Sequence, residues 1–578
     1  MAKFNNRAKA FVFSLIICAA LAVGFGVIYF NDSAWGTWGD DSAGYIFLAG
    51  RMWEGEPLVY LDELAAKGLE FFGDEKLARW LTPTHHQFIN TRGVIASKYP
   101  VGAPMLLLVG AALTGKSEGF YLVTPALAAA NLVLFYFLAV LVIPRHRYRH
   151  FIGLLSAGML GLSELYYNYA IAQPMREIPS VTFLLLIAIL LLRGIRLLKN
   201  TERKKAATPF YFIFAAGLAF GMAFNIRETS ALILPGAALY VLLALWPKKE
   251  STQKYIKQLA LVGLSFFIAA AVAVIPTALN SYNISQDKEV FKARDTSNVV
   301  VLPNIGHVES LSVQNLFDNQ GKFRPGTGSL PHYWGVMQDV VPVPYFLVFV
   351  ALGIFFLWKE SRPKTALLVG WAVGILIIFS IWVNPYSRYI IPMFPPMIFL
   401  GVYGLFGFFQ ELVPKLIKKR WAMTILALGV SATFLVAYQP VFADVKENLK
   451  IDVHRYKAIS HKDLETLIDL GDELVLSDQP VLMFSGVWQY GTSETLEAHT
   501  GLKTVRFPLE QRFDFNEGRV NEFFVSMLSD GYTLYVWVDE TSSPELFTWL
   551  EMYDTNLVDT LDFTFQPQVR IYEVRAQR

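Results

Sequence analysis

Residues 10–30, AFVFSLIICAALAVGFGVIYF, form an unbroken apolar run preceded by Lys3, Arg7 and Lys9. A helix needs about 20 consecutive apolar residues to cross the hydrocarbon core of a bilayer, whereas the apolar part of a secretory leader has about 7–15. The run reads as a first, retained membrane helix with its N-terminus in the cytoplasm. The whole chain agrees: its 578 residues are 54% hydrophobic, 15% aromatic and only 17% charged, with a mean hydropathy of +0.39. Soluble domains carry about 25% charge. The net charge of +2 offers no basic surface for nucleic acid. Cys18, the single cysteine, lies inside the first run, so neither an intrachain disulfide nor a cysteine-based metal site can form.

Working outward, further apolar stretches run at 119–143, 151–167, 178–193, 209–225, 229–246, 259–281, 343–358, 365–383, 389–409 and 422–440. Lys and Arg gather after every second one: Arg145, Arg147 and Arg149; then Arg193 to Lys205; then Lys248 to Lys257; then Lys359, Arg362 and Lys364; then Lys415 to Arg420. Cytoplasmic connections carry such an excess, so the alternation predicts a polytopic α-helical protein of about eleven transmembrane helices. The segment 100–114 is apolar but short, and counting it as a span would reverse the basic clusters. It is expected to be an interfacial or partly inserted helix on the outer side. Two outer connections are long, 31–118 and 282–342.

The division expected is a membrane domain, 1–440, and a small extracytoplasmic α/β domain, 441–578. In the latter, 473–476, 532–538 and 569–574 read as strands, and 462–470 and 520–528 as helices.

Charged residues collect at the outer ends of the spans. The first outer loop opens with Trp38-Gly-Asp40-Asp41-Ser-Ala-Gly44-Tyr45, and two adjacent carboxylates suit a general base or a divalent cation. Either could equally cap a helix over 42–53. Glu177 sits in Gln173-Pro-Met-Arg176-Glu177, at the mouth of the bundle, either as a functional acid or in a local solvated pair with Arg176. Lys98, Arg227 and Arg388 are the cations of this face. They suit a phosphate or lipid headgroups. His85-His86 in the same loop is a weak metal signal. Gly217 and Gly221 have the spacing of close helix packing.

In this order and topology the motifs resemble the membrane-embedded GT-C glycosyltransferases, such as protein O-mannosyltransferases and lipid A aminoarabinose transferases. Asp41-Ser-Ala-Gly-Tyr45 with Ala49 resembles the family's first-loop acidic motif. Lys98-Tyr99-Pro100 resembles its juxtamembrane Lys/Tyr-Pro-Pro helix, Arg227 follows a Gly-rich helix, and Arg388-Tyr389-Ile-Ile-Pro392 resembles a recurrent Arg-Tyr-x-x-Pro. The family usually has Asp-Glu where this chain has Asp41-Ser42, with the extra acid at Asp40 instead. That leaves a metal role for Asp40 and Asp41 open. Gln173 competes with Glu177 for the place of the second acid.

The resemblance implies inverting transfer of a sugar from a polyprenyl-phosphate donor to a hydroxyl of a lipid, glycan or protein, outside the cytoplasm. Asp41, Asp40 and Glu177 would be catalytic; Lys98, Arg227, Arg388, Tyr99 and Tyr389 would bind the donor phosphate; membrane lipids would surround the bundle. The rival classes are a transporter of lipid-linked saccharide and a non-catalytic envelope assembly protein. A transporter should place charges near the membrane midplane, and these spans are almost free of them.

Overall fold

The computed structural model describes residues 2–36, 40–73, 81, 87–97, 99–144, 146–171, 174–200, 207–246, 252–287, 312–317, 328–339, 346–382, 385–412, 429, 459–485, 492–507, 518–540, 542, 544–563 and 568–575. The chain begins with helix α1 (Ala2–Asp32), whose middle is apolar on all sides. Next, α2 (Asp40–Trp53), strand β1 (Val59–Leu61), α3 (Glu63–Phe72), β2 (Gln87–Ile89) and β3 (Val94–Ser97) make up the described first loop. Its strands pair antiparallel in the order β1-β3-β2. A short helix, α4 (Gly102–Thr114), then leads into α5 (Val123–Val142).

The bundle continues with α6 (Arg149–Leu162), α7 (Glu164–Ile171), α8 (Glu177–Asn200), α9 (Thr208–Ile226), α10 (Leu234–Leu245) and α11 (Thr252–Gln286). It closes with α12 (Ser329–Asp339), α13 (Phe346–Glu360), α14 (Arg362–Ser380) and α15 (Phe394–Gly407).

Among the described residues, eight helical segments are long and apolar enough to cross a membrane: Phe11–Asp32, Ser117–Val142, Glu177–Lys199, Thr208–Ile226, Glu228–Leu245, Thr252–Gln286, Arg362–Ser380 and Ser387–Glu411. The last is buried over residues 390–407 and forms the centre, while α1 and α11 turn most of their apolar surface outward, as lipid-facing helices do.

Two expected spans differ. The stretch 151–167 is not one helix: Ser163 takes an extended conformation and separates α6 from α7. Serine competes for backbone hydrogen bonds and favours helix ends. The stretch 343–358 is realised as the 15-residue α13. The stretch 422–440 lies outside the described residues. The segment 100–114 is indeed a short helix, packed against α2 and α9. Gly217 and Gly221 meet α11 closely: a Cβ at either would come within 2.1 Å of the Phe266 carbonyl oxygen or 2.6 Å of that of Ala270.

The tail domain comprises α16 (His461–Val475), β4 (Pro480–Ser485), α17 (Thr492–Thr500), β5 (Lys503–Phe507), α18 (Gly518–Ser529), β6 (Thr533–Val538), α19 (Pro544–Leu550), β7 (Asp554–Leu561) and β8 (Val569–Arg575). Its sheet runs β5-β4-β6-β8-β7; β5, β4 and β6 are parallel, and β8 pairs antiparallel with both neighbours. The strand expected at 473–476 is instead the last turn of α16, with Leu476 as its C-cap. Leu464, Leu467, Leu470 and Leu474 recur at helical spacing and are buried, whereas Val475 and Leu476 are exposed.

The sheet's alternation divides its side chains between two cores. Val481, Met483, Val536 and Val538 pack with Phe523, Phe524 and Trp549. Leu482, Phe484, Tyr535 and Trp537 belong to a core that also holds Tyr45, Ile46, Tyr99 and Leu107. The tail domain is therefore seated on α2 and α4. Gly50 marks the crossing of α2 and α17: a Cβ there would lie 2.2 Å from the Ala498 carbonyl oxygen.

Candidate active site

Asp41 stands in the first turn of α2, whose start at Asp40 places both acids at the positive end of the helix dipole. Glu177 is the first residue of α8 and has the same advantage. Arg227 leaves the C-terminus of α9 with an extended backbone, so its side chain turns back across the bundle. Arg388 belongs to a 3-10 stretch, Ser387–Met393, entered after Pro385 and leading into α15. Proline cannot continue the preceding hydrogen-bond ladder, so the chain is held in a tight approach to the helix.

These four groups meet. Arg388 Nη2 donates to Asp41 Oδ2 at 2.7 Å, and its Nε lies 3.8 Å from Glu177 Oε1. Arg227 Nη1 donates to the same Glu177 Oε1 at 3.2 Å. Glu177 and Arg227 are almost wholly buried, where unpaired charge would be prohibitive. Two acids face two guanidinium groups, so this core of the cluster is neutral.

Tyr389 forms an aromatic base. Its ring centroid is 4.9 Å from the Arg227 guanidinium carbon and 5.6 Å from that of Arg388, and it stacks on Phe379 at 4.8 Å. A narrow cavity beside it is lined by Ser180, Leu184, Arg227, Ser230, Phe379 and Tyr389.

Hydrogen bonding in the cluster is incomplete. Glu177 Oε2 and Arg388 Nε are buried and make no hydrogen bond among the described residues. A buried acceptor left in this state costs about 1–3 kcal/mol. Functional sites carry such costs more often than structural ion pairs do. One turn further along α2, burial holds the Tyr45 hydroxyl well above its usual range, so it stays protonated.

Of the residues expected from sequence, Asp41, Glu177, Arg227, Arg388 and Tyr389 are brought together. Tyr99 lies one layer away, its ring 5.1 Å edge-on from Tyr45 and pressed against Gly44. Lys98, Gln173, His85 and His86 lie outside the described residues, as does the side chain of Asp40. A local pair of Arg176 with Glu177 does not form; Glu177 is engaged by arginines from two other elements. Among the described residues, no three His, Cys, Asp or Glu side chains gather as a metal site requires.

Sequence reasoning passed over Phe379 and His332. The His332 ring lies 3.3 Å, through Nε2, from the Ser387 hydroxyl next to Arg388. A phenylalanine in an apolar span and a histidine in a long loop carry no local sign of such a place.

No family model matches the sequence, and no curated protein matches it. Solved structures do. The apo oligosaccharyltransferase of Archaeoglobus fulgidus superposes with a TM-score of 0.56 at 12% identity, over 96% of this chain and 74% of that one. ArnT from Cupriavidus metallidurans bound to undecaprenyl phosphate gives 0.55 at 14% identity, over 96% of this chain and 97% of its own. The archaeal oligosaccharyltransferase AglB from A. fulgidus, in complex with an inhibitory peptide and a dolichol-phosphate, gives 0.52 at 12% identity, over 98% and 74%. With its apolar helical bundle and seated α/β tail, the chain has the fold of the GT-C membrane glycosyltransferases.

Proposed function

We propose that this protein transfers a sugar from a polyprenyl-phosphate donor to an acceptor hydroxyl, with inversion, on the extracytoplasmic face of the membrane. The observation that carries the reading is the sharing of Arg388 between Asp41 and Glu177, two carboxylates from different elements, at the mouth of the bundle. Two solved proteins of the same fold hold polyprenyl-type phosphates, undecaprenyl phosphate in ArnT and a dolichol-phosphate in AglB. Topology supports the face: the basic clusters Arg147–Arg149, Arg193–Lys199 and Lys359–Lys364 lie at the helix ends away from α2. Residues 1–440 would then carry the chemistry and 441–578 form the extracytoplasmic domain above it.

The arrangement suggests how charge moves. With no donor present, Arg388 neutralises Asp41. A donor phosphate competes for that guanidinium, and an arginine drawn toward it leaves Asp41 free to accept a proton. The acceptor oxygen then attacks the anomeric carbon as the bond from that carbon to the phosphate oxygen breaks. The acceptor's proton passes to Asp41. The leaving phosphate, now with one more negative charge, is stabilised by Arg388, Arg227 and Lys98 in a site sparing of water. Glu177 keeps Arg227 and Arg388 oriented.

The test is transfer from a radiolabelled polyprenyl-phosphate sugar in membranes holding wild type or Asp41→Asn. The variant is expected to lose about 10²-fold or more of its rate, the range typical of a general base. Equal transfer by the two would remove Asp41 from the mechanism.

A further inference from the structure

The second outer loop takes hold of the segment that carries Arg388. Beyond α14 the chain leaves its helical ladder, and carbonyls there must find donors on other elements. The loop supplies them in order. The Ser312 N–H and the Asn315 side-chain amide, at the 3-10 turn Val313–Leu316, donate to the Ile381 carbonyl at 2.9 and 3.0 Å. The Ser329 hydroxyl donates to the Trp382 carbonyl at 3.2 Å, and the Tyr333 hydroxyl to the Tyr386 carbonyl at 3.3 Å. His332 meets the Ser387 hydroxyl through Nε2 at 3.3 Å. Ser329, His332 and Tyr333 stand at positions i, i+3 and i+4 of α12, so one helix face makes the last three contacts. Tyr333 and Met337, again one turn apart, anchor that helix in the bundle core, which also holds Phe379 and Ile390.

Tyr386 is the residue through which this hold reaches the site. Its carbonyl also accepts the Tyr389 N–H at 3.0 Å, at the start of the 3-10 stretch. Its ring lies 5.2 Å from the Arg388 guanidinium carbon and meets the Tyr389 ring edge-on at 5.3 Å. A displaced Tyr386 therefore moves both the backbone that launches Arg388 and the aromatic wall beside its guanidinium, which reaches Asp41 at 2.7 Å. We propose that Tyr333 and His332 are positioning residues: they fix Tyr386 and Ser387, and through them aim Arg388 at Asp41. Resting on the reading of Asp41 and Arg388 as parts of a transfer site, this gives α12 a role that runs through backbone geometry rather than charge.

Two measurements on the full chain in nanodiscs test this: backbone hydrogen exchange over 386–393, and transfer kinetics with radiolabelled undecaprenyl-phosphate mannose, glucose or aminoarabinose, whichever the wild type uses. Tyr333→Phe removes one hydroxyl and keeps the buried ring. It should raise exchange over 386–393 about three-fold or more and leave α8 unchanged. It should lower kcat about ten-fold with KM within about two-fold, since a misaimed group costs rate more than binding. His332→Ala should behave alike, and His332→Gln, whose amide nitrogen can take the place of Nε2, should restore most of the rate. In an Arg388→Lys background either loss should shrink to about two-fold or less, because the effect runs through the arginine. Thermal unfolding of each variant comes first; should Tyr333→Phe not fold, the His332 variants decide. Wild-type rates in Tyr333→Phe and His332→Ala overturn the inference and leave the transfer reading standing. So does a loss of equal size in the Arg388→Lys background, or, where that background is too slow to measure, a His332→Gln no faster than His332→Ala. A wild type that transfers from none of the three donors ends the transfer reading and this inference together.

Discussion

Two buried charge clusters, one at the mouth of the bundle and one where the tail domain meets the first loop, share a vocabulary and differ in completeness. In the second, Lys503 of β5 donates to Asp62 and lies 3.8 Å from Glu497. Asp62 also caps α3, accepting from the Ala65 N–H at 2.8 Å, and Glu497 accepts from the backbone and hydroxyl of Thr504 at 3.2 and 2.9 Å. Both acids are thus supplied with donors, and the unit joins two parts of the chain. At the mouth, Glu177 keeps a buried oxygen to which no described residue donates. The first arrangement is what a structural joint needs; the second leaves bonding capacity for something else.

Breaking the mouth should cost more than breaking the joint. Arg227→Leu strips Glu177 of its near partner in an almost dry site, and the expected loss is about 3–5 kcal/mol, read by thermal unfolding in detergent. The double variant Arg227→Leu/Glu177→Leu should recover most of it. Lys503→Met leaves two acids facing each other, but Glu497 can escape by taking a proton. Its loss should be smaller, about 1–3 kcal/mol, seen as faster proteolysis of the tail domain. If the two losses are equal, the distinction between the clusters fails. Gly50→Ala tests the joint from its other side. The added methyl would strike the Ala498 carbonyl, and overpacking of this kind costs about 1–3 kcal/mol, measurable as increased hydrogen exchange in α17.

The smallest effect is a pH dependence, and it hides in the wild type. Burial pushes Glu497 up from 4.5 to about 7, with Asp62 adding to the rise and Lys503 opposing it. A raised acid contributes stability that is complete below about 4.5 and lost as pH climbs through 7. His499, held against Ser117 and Tyr121, is lowered by burial from 6.5 to about 4. Its contribution is complete above 6.5 and lost as pH falls through 4. The slopes oppose each other over the shared window. Unfolding of the tail domain should therefore vary little with pH in the wild type. In Glu497→Gln it should gain stability as pH rises from about 4 to 6.5. In His499→Asn it should lose stability as pH rises from about 4.5 to 7.

The amino-acid sequence by itself determined that this chain lives in a membrane, where most of its long helices run, and that acids and cations gather at one set of helix ends. Those properties follow from transfer free energies and periodicities within windows of about twenty residues, and nothing distant can reverse them. Only the tertiary structure decided who pairs with whom. Glu177 passes over its neighbour Arg176 for Arg227 and Arg388, because a helix start points adjacent side chains in different directions and closing a long loop costs little more than closing a short one. The end of α16 went the same way. Residues 473–476 are apolar enough for a strand, but the buried leucine stripe of the preceding turns extends the helix into them. Gly50 looked like one glycine among many until α17 was laid across it. Contacts of this kind depend on which surfaces meet, and no single segment carries that information.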